Sequence, residues 1–187
     1  TVTDEDISLP AKPRDGYKGT FGRDLILAGS VGFTGAPALA AEAAVRSGAG
    51  LVFLGVPESI WPIEAMKCRE AMPFPLPENS GMLALSAFEK IREHLEKCNV
   101  CLLGPGLGRS EGTVRLVKEV VRRCTVPLVI DADGIFAVSQ NTNILEEASC
   151  PIVLTPHKGE FRMLGGDTGE DRIGAARDFA TRHRCTL

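Results

Sequence analysis

Four short apolar runs in this chain each end on residues equipped for chemistry. Asp24 to Ala28 ends at Gly29-Ser30, with Thr34-Gly35-Ala36 opening a helix just beyond. Val100 to Leu103 ends in Gly104-Pro105-Gly106-Leu107-Gly108, and Pro127 to Ile130 ends in Asp131-Ala132-Asp133-Gly134. Pro151 to Leu154 ends in Thr155-Pro156-His157-Lys158. Glycine turns before helix starts offer free backbone N–H groups to an anion. Aspartates beside them suit a metal ion or phosphate, and a histidine and lysine suit contacts to a ligand. In open parallel sheets ligands bind beyond the carboxyl ends of the strands, so these four endings converge on one rim. Each has a plainer reading. The glycine turns also suit tight helix–sheet packing, Asp131 and especially Asp133 suit helix caps, and His157 suits a surface loop. The glycine run is neither a Walker loop nor a G-x-G-x-x-G fingerprint, which disfavours a standard dinucleotide fold.

The elements that must position these groups alternate along the chain. After the first strand, Thr34 is placed to cap an alanine-rich helix from Ala38 to Arg46, with Gly48 as its left-handed C-cap. Leu51 to Val56 is a second strand, stopped by Pro57, and Glu58 to Met66 is a short helix. Arg69 to Leu76 is strand-like but interrupted by prolines, which places it at a sheet edge. Glu78-Asn79-Ser80-Gly81 reads as a loop. Leu83 to Lys97 reads as an amphipathic helix with Leu85, Phe88, Ile91 and Leu95 on one face. Ser110 caps a helix running to about Arg123, and a short helix follows Gly134. Phe161 to Leu164 and Asp171 to Arg184 are the last two helices, and Cys185 to Leu187 looks like another strand beginning. Continuous apolar strands alternating with helices predict an α/β fold, a parallel sheet with helices on both faces. Residues 1–18, polar and marked by Pro10 and Pro13, read as a lead-in, and 19–187 as one domain. The unfinished last crossover predicts that the natural domain continues past Leu187.

Composition closes off other classes. With 187 residues, 44% hydrophobic and 24% charged, the chain is long and apolar enough to build a core. The net charge of −3 carries no basic block, so nucleic acid is not a partner to expect. The longest uncharged run, between Asp24 and Glu42, is broken by glycines and Pro37 and is not a membrane span. Six irregularly spaced cysteines fit free thiols in a cytoplasmic protein better than a disulfide frame. Cys98-Asn-Val-Cys101 has metal or redox spacing, but no second Cys/His pair completes a zinc set. No nucleophile elbow is present.

Four segments in this order, GTFGRDLILAGSVGFTGAPALAAEAAVRSGAGLV, LLGPGLG, PLVIDADG and LTPHKGEFRMLGG, resemble the NAD(P)H-hydrate dehydratases. The likeness runs from about Pro10 to Leu187 and is nearest the bacterial ADP-dependent kind. It implies a three-layer ribokinase-like fold with a mostly parallel central sheet. It also implies repair of damaged NADH and NADPH: the S epimer of the hydrate (NADHX or NADPHX) is dehydrated while ADP becomes AMP and phosphate. The chemistry resembles a diverted kinase step, in which the ring hydroxyl is phosphorylated and phosphate is then eliminated. Carried over by position, the resemblance implies hydrate contacts at Ala36, Gly106, Gly108 and His157, with Glu160 beside them. It implies Asp131 near the phosphates and Mg²⁺. ADP is the implied co-substrate, a homo-oligomer the implied assembly, and an NAD(P)H-hydrate epimerase the implied fused or companion activity.

Two departures stand out. Tyr17-Lys18-Gly19 occupies the place where the family usually has His-Lys-Gly. The family's Lys-Gly nucleotide segment and its Gly-x-Gly-Asp motif, which supplies the anion hole and the catalytic aspartate, are expected beyond Leu187. On this reading the chain holds mostly the hydrate side of the site. A ribokinase-like kinase of a small alcohol or vitamin precursor, or an inactive ligand-binding fragment, are the alternatives.

Overall fold

The computed structural model describes residues 3, 14–166, 169 and 171–187. Most of the predicted lead-in therefore lies outside the described residues. Six parallel strands form the central sheet: β1 (Arg23–Leu27), β2 (Leu51–Pro57), β3 (Met72–Leu76), β6 (Val100–Leu103), β7 (Leu128–Ile130) and β8 (Ile152–Leu154). Between β3 and β6 lies a small antiparallel hairpin, β4 (Glu78–Asn79) and β5 (Met82–Leu83). The helices are α1 (Gly35–Ser47), α2 (Trp61–Lys67), α3 (Phe88–Leu95), α4 (Glu111–Arg123), α5 (Asp133–Ser139), α6 (Lys158–Met163) and α7 (Arg172–His183).

The sheet order is β3-β2-β1-β6-β7-β8. The chain builds outward from β1 in one direction, then returns to β1's other side and builds outward again. The strand order therefore reverses between β1 and β6, the kind of switch point at which open parallel sheets place their ligands. The proline-interrupted segment forms β3 at the sheet edge, as its composition predicts. At the opposite edge, Thr186 forms an isolated parallel bridge to Val153, within the Cys185–Leu187 stretch that the sequence reads as strand-like.

Side chains alternate between two cores, as period-2 geometry demands. Ile26, Ala28, Val52, Leu54 and Val56 face Ala41 of α1 and Ile60. Leu25, Leu27, Leu103, Leu128, Ile130 and Leu154 face the larger core, completed by buried residues of α3, α4, α5, α6 and α7. Helices therefore cover both faces, giving the expected three layers. The α1 side thins across β7 and β8, where Val129 and Val153 are only half-buried.

Several local expectations needed correction. The stretch expected as a loop, Glu78–Gly81, is strand β4 followed by the Ser80-Gly81 turn of the β4–β5 hairpin. Ser80 (φ 52°) and Gly81 (φ 77°) both take positive φ, as a two-residue primed turn requires. That hairpin takes Leu83 as strand, so α3 begins only at Phe88 and Leu85 is exposed. Phe88, Ile91 and Leu95 are buried as the amphipathic pattern predicts. Thr34 occupies the N-cap position of α1 but makes no side-chain cap; its hydroxyl instead accepts from Lys67. Ser110, by contrast, caps α4 by accepting from Thr113 N, and Gly48 closes α1 at φ 104°. All six cysteines are free, and no described helix is long and apolar enough to cross a membrane.

Candidate functional site

Register fixes the rim. Leu27 pairs with Leu103, Leu103 with Ile130, and Ile130 with Leu154. The next residues, Ala28, Gly104, Asp131 and Thr155, therefore stand side by side at the carboxyl edge. Three strand spacings give a rim of roughly 14 Å from the β1 turn to the β8 turn.

The β1 and β6 turns lock together across the switch point. Gly29 N donates to Pro105 O at 2.9 Å, and the buried Ser30 hydroxyl donates to Gly106 O at 2.8 Å. Val31 N donates to Gly81 O at 2.9 Å, which seats the hairpin on the same turn. Gly106 adopts φ 66°, and a Cβ there would come within 3.1 Å of Phe33 Cβ and 3.2 Å of Ala36 Cβ. Ala36 and Gly106 thus face each other so closely that a methyl on Gly106 would require its neighbours to give by a few tenths of an ångström. A Cβ on Gly108 would collide with Met82 Sδ at 2.5 Å. Val31 and Phe33 are more than half exposed, so apolar surface flanks this tight seam. Because Thr34 provides no side-chain cap, the first N–H groups of α1 are not satisfied in that way.

The aspartates divide their work. Asp133, expected as the cap of α5, sits in its first turn. Its Oδ2 accepts from Gly108 N at 3.0 Å and its Oδ1 from Arg109 Nε at 2.8 Å. Arg109 in turn lies 4.6 Å over the Phe136 ring. The N-cap position of α5 is Ala132, at φ 49° and ψ −120°, a conformation unfavourable for a residue with a Cβ. This turn directs Asp133 into the glycine loop. Asp131 is half-buried, and no side-chain hydrogen bond or ion pair joins its carboxylate to another described residue.

At β8 the groups are held locally. His157 is the N-cap of α6: its Nδ1 accepts from Gly159 N (2.9 Å) and Glu160 N (3.3 Å). The neutral ring then carries its proton on Nε2. Glu160 is buried and completes a capping box, its Oε2 accepting from His157 N at 2.9 Å. Its other oxygen lies 3.4 Å from His157 Nε2. The His157 ring remains 71% exposed, open to a ligand while fixed in orientation. A cavity of about 320 Å³ adjoins this turn, lined by Thr155, Pro156, Lys158, Arg172 and Thr186 among others.

The structure therefore brings Ala36 and Gly106 into one seam and sets Gly108 beside it. It places Asp131 next along the rim, and His157 and Glu160 on the turn beyond. Ser30 and Asp133 are among the strand endings that the sequence brings to the rim, whereas Met82 and the pairing of Asp133 with Arg109 are parts of this assembly that motif reading did not assign. Ser30 carried a usable signal, a small hydroxyl residue directly after a buried strand. Met82 carried none.

No group of three or more His, Cys, Asp or Glu residues among those described is arranged to hold a metal ion. A Mg²⁺ carried mainly by nucleotide phosphates needs only one or two carboxylates, and the free carboxylate of Asp131 fits that demand. The Cys98-x-x-Cys101 pair is buried, and desolvation raises both thiols, Cys98 to about 11 and Cys101 well above its ordinary value. Neither suits thiolate chemistry.

Solved structures share this architecture. A ribokinase-like superfamily protein from Enterococcus faecalis superposes with a TM-score of 0.77 at 25% identity, over 92% of this chain and 58% of that one. The ADP/ATP-dependent NAD(P)H-hydrate dehydratase of Bacillus subtilis, co-crystallised with ATP/Mg2+, gives 0.77 at 28% identity, over 98% of this chain and 63% of that one. The fold is thus ribokinase-like.

The family model for NAD(P)H-hydrate dehydratase matches residues 25–187, and the chain belongs to that family. The bifunctional NAD(P)H-hydrate repair enzyme Nnr of Moorella thermoacetica is 43% identical over 184 residues, which are 96% of this chain and 35% of the relative. An ATP-dependent (S)-NAD(P)H-hydrate dehydratase of Drosophila pseudoobscura pseudoobscura is 34% identical over 87% of this chain and 53% of its own length. The chain thus spans about a third of the bifunctional relative's length.

Proposed function

We propose that this chain forms the hydrate-binding side of an enzyme that returns (6S)-NAD(P)H hydrate to NAD(P)H, with ADP converted to AMP and phosphate. The observation that carries the reading is the switch-point seam, where Ala36 faces Gly106 across two hydrogen-bonded turns. A hydrated, puckered nicotinamide ring needs a wall without bulky side chains, and small residues build this seam. The ring hydroxyl gives its proton to a general base as its oxygen attacks the terminal phosphorus of ADP, and AMP leaves with the electron pair of the broken P–O bond. Loss of a ring C–H proton then expels phosphate and restores the C=C bond.

In this reading Ala36, Gly106 and Gly108 bound the hydrate, and His157 offers Nε2–H to it from an orientation set by the α6 cap. Glu160 acts by holding that cap. Asp131 stands where phosphate and a Mg²⁺ ion would lie, and such an ion would neutralise charge on the transferred group. Positioning does most of the work in such transfer. The name of the Bacillus relative includes both nucleotides, and we assign ADP to this enzyme as the preferred co-substrate. The reading includes a cytoplasmic setting and an epimerase as fused or companion activity, supported by the bifunctional relatives. It also includes a homo-oligomer, supported by the exposed Leu39, Ile63 and Met66 on α1 and α2.

The test is to incubate the full-length protein with NADPH hydrate and either ADP or ATP. NADPH absorbance and the nucleotide products are followed together. Recovery of NADPH with one AMP per turnover is expected with ADP. No recovery with either nucleotide overturns the reading, and faster recovery with ATP overturns the co-substrate assignment.

A further inference from the structure

The start of α1, which carries Ala36, is held by a device outside the rim. Thr34 is in a helical conformation (φ −80°, ψ −4°) instead of the extended one usual for a capping residue. Its polar atoms are taken by Lys67 at the end of α2. Lys67 Nζ donates to Thr34 O at 2.6 Å and to Thr34 Oγ1 at 2.8 Å. Behind Lys67 stands Glu64, one turn earlier on α2. Its side chain is wholly buried, neither carboxylate oxygen has a hydrogen-bond partner among the described residues, and Lys67 Nζ lies 3.5 Å from Oε1.

A carboxylate in that setting is costly. Burial pushes the Glu64 carboxyl up from its ordinary value, and Lys67 pulls it back only in part. Replacing such a buried pair by apolar side chains often leaves a fold as stable or more so, so stability alone is a poor reason for it. What the pair does is localise a flexible ammonium. Lysine has four rotatable side-chain bonds, and a lysine without an anchor is disordered in solvent. With a buried carboxylate beside it, the ammonium of Lys67 is confined to the two Thr34 oxygens. It thereby crosses from α2 to the residue that precedes Gly35 and Ala36.

We infer that Lys67 is a positioning residue for the hydrate wall. Anchored by Glu64, it ties α2 to Thr34 and sets where Ala36 stands opposite Gly106. The kinetic arm of this inference rests on the hydrate-binding reading above; its structural arm does not.

The variants are Lys67→Met, Lys67→Arg and the double Glu64→Gln/Lys67→Met, made in the full-length protein. Amide hydrogen exchange is measured without ligand, alongside steady-state kinetics. In K67M, exchange across residues 29–39 is expected to rise about tenfold while β7 and β8 keep wild-type protection. K67R, which can donate to both Thr34 oxygens, restores protection. Loss of two charge-assisted hydrogen bonds to the wall should raise KM for the hydrate about tenfold, with kcat and the nucleotide KM within about twofold. Wild-type exchange in K67M overturns the inference whether or not the enzyme turns over hydrate. A fall in kcat with KM unchanged overturns it as well. If K67M does not fold, the double variant removes the unpaired buried charge and takes its place, and wild-type exchange there is equally fatal. A wild-type enzyme inactive on hydrate defeats the functional reading, while the exchange result still decides the role of Lys67.

Discussion

The rim has two kinds of construction. At the switch point, turns far apart in sequence fix one another: Gly29 to Pro105, Ser30 to Gly106, and Gly108 to Asp133. At β8, by contrast, the histidine is held locally, by Gly159 and Glu160 of its own helix. The first arrangement makes a shape, a tight seam between small residues. The second presents a group, an exposed imidazole ring held in place at a helix start. Damage at the switch point should spread through β1, β6 and β7, whereas damage at β8 should stay where it is made.

The largest expected effect tests the spreading. A Cβ at Gly104 would lie 1.8 Å from Asp131 O, with φ at 137°. Gly104→Ala must push the β6 and β7 turns apart, and we expect a loss of about 4 kcal/mol or failure to fold. Chemical denaturation measures it, and a loss below about 1 kcal/mol would show that the turns are not interlocked. Next comes Asp133→Ala, which strands Gly108 N and frees Arg109. We expect a loss of about 2 kcal/mol and a rise in hydrate KM, whereas Asp133→Asn, keeping one acceptor, should lose less.

The same division decides what was legible in the sequence. Apolar runs bounded by glycine and proline gave the strands, because a buried parallel strand is defined by its own composition. The prolines of β3 gave its edge position for the same reason. Ser110 and Gly48 were readable as caps because capping is a local event. His157 and Glu160 formed a readable capping pair too, since a glutamate three residues after a cap is a local signal. It was overlooked because histidine is an uncommon cap. Thr34 failed as a cap for a tertiary reason: its oxygens are claimed by Lys67, 33 residues away. Asp133 was read as a cap because nothing near it announces that Gly108, 25 positions earlier, needs its carboxylate. The hairpin was missed because serine rarely takes the first positive-φ position of a primed turn. The rim itself was legible as a list of strand endings. Its seam was not, because the facing of Ala36 and Gly106 depends on strand order.

The two smaller effects set the regions directly against each other. Gly106→Ala places a methyl group about 3.1 Å from Phe33 and 3.2 Å from Ala36 at φ 66°. The left-handed backbone costs about 1–2 kcal/mol in stability, but the methyl fills the seam, so hydrate affinity should fall by far more than stability does. Titration calorimetry against thermal melting separates the two, and equal losses would argue that the seam is packing alone.

His157→Ala is the mildest change, removing one N-cap at a cost of about 1 kcal/mol. His157→Asn keeps a capping acceptor and should recover most of that loss. It cannot recover Nε2–H at the same place, so if the ring touches the hydrate, KM should stay raised in both variants while only the alanine form melts early. A histidine present merely as a cap predicts the opposite: the asparagine variant would regain stability and KM together. Because the cap of α6 is made within its own first turn, neither variant should change exchange protection in the Gly29–Ala36 segment. If it does, the two regions of the rim are one coupled unit.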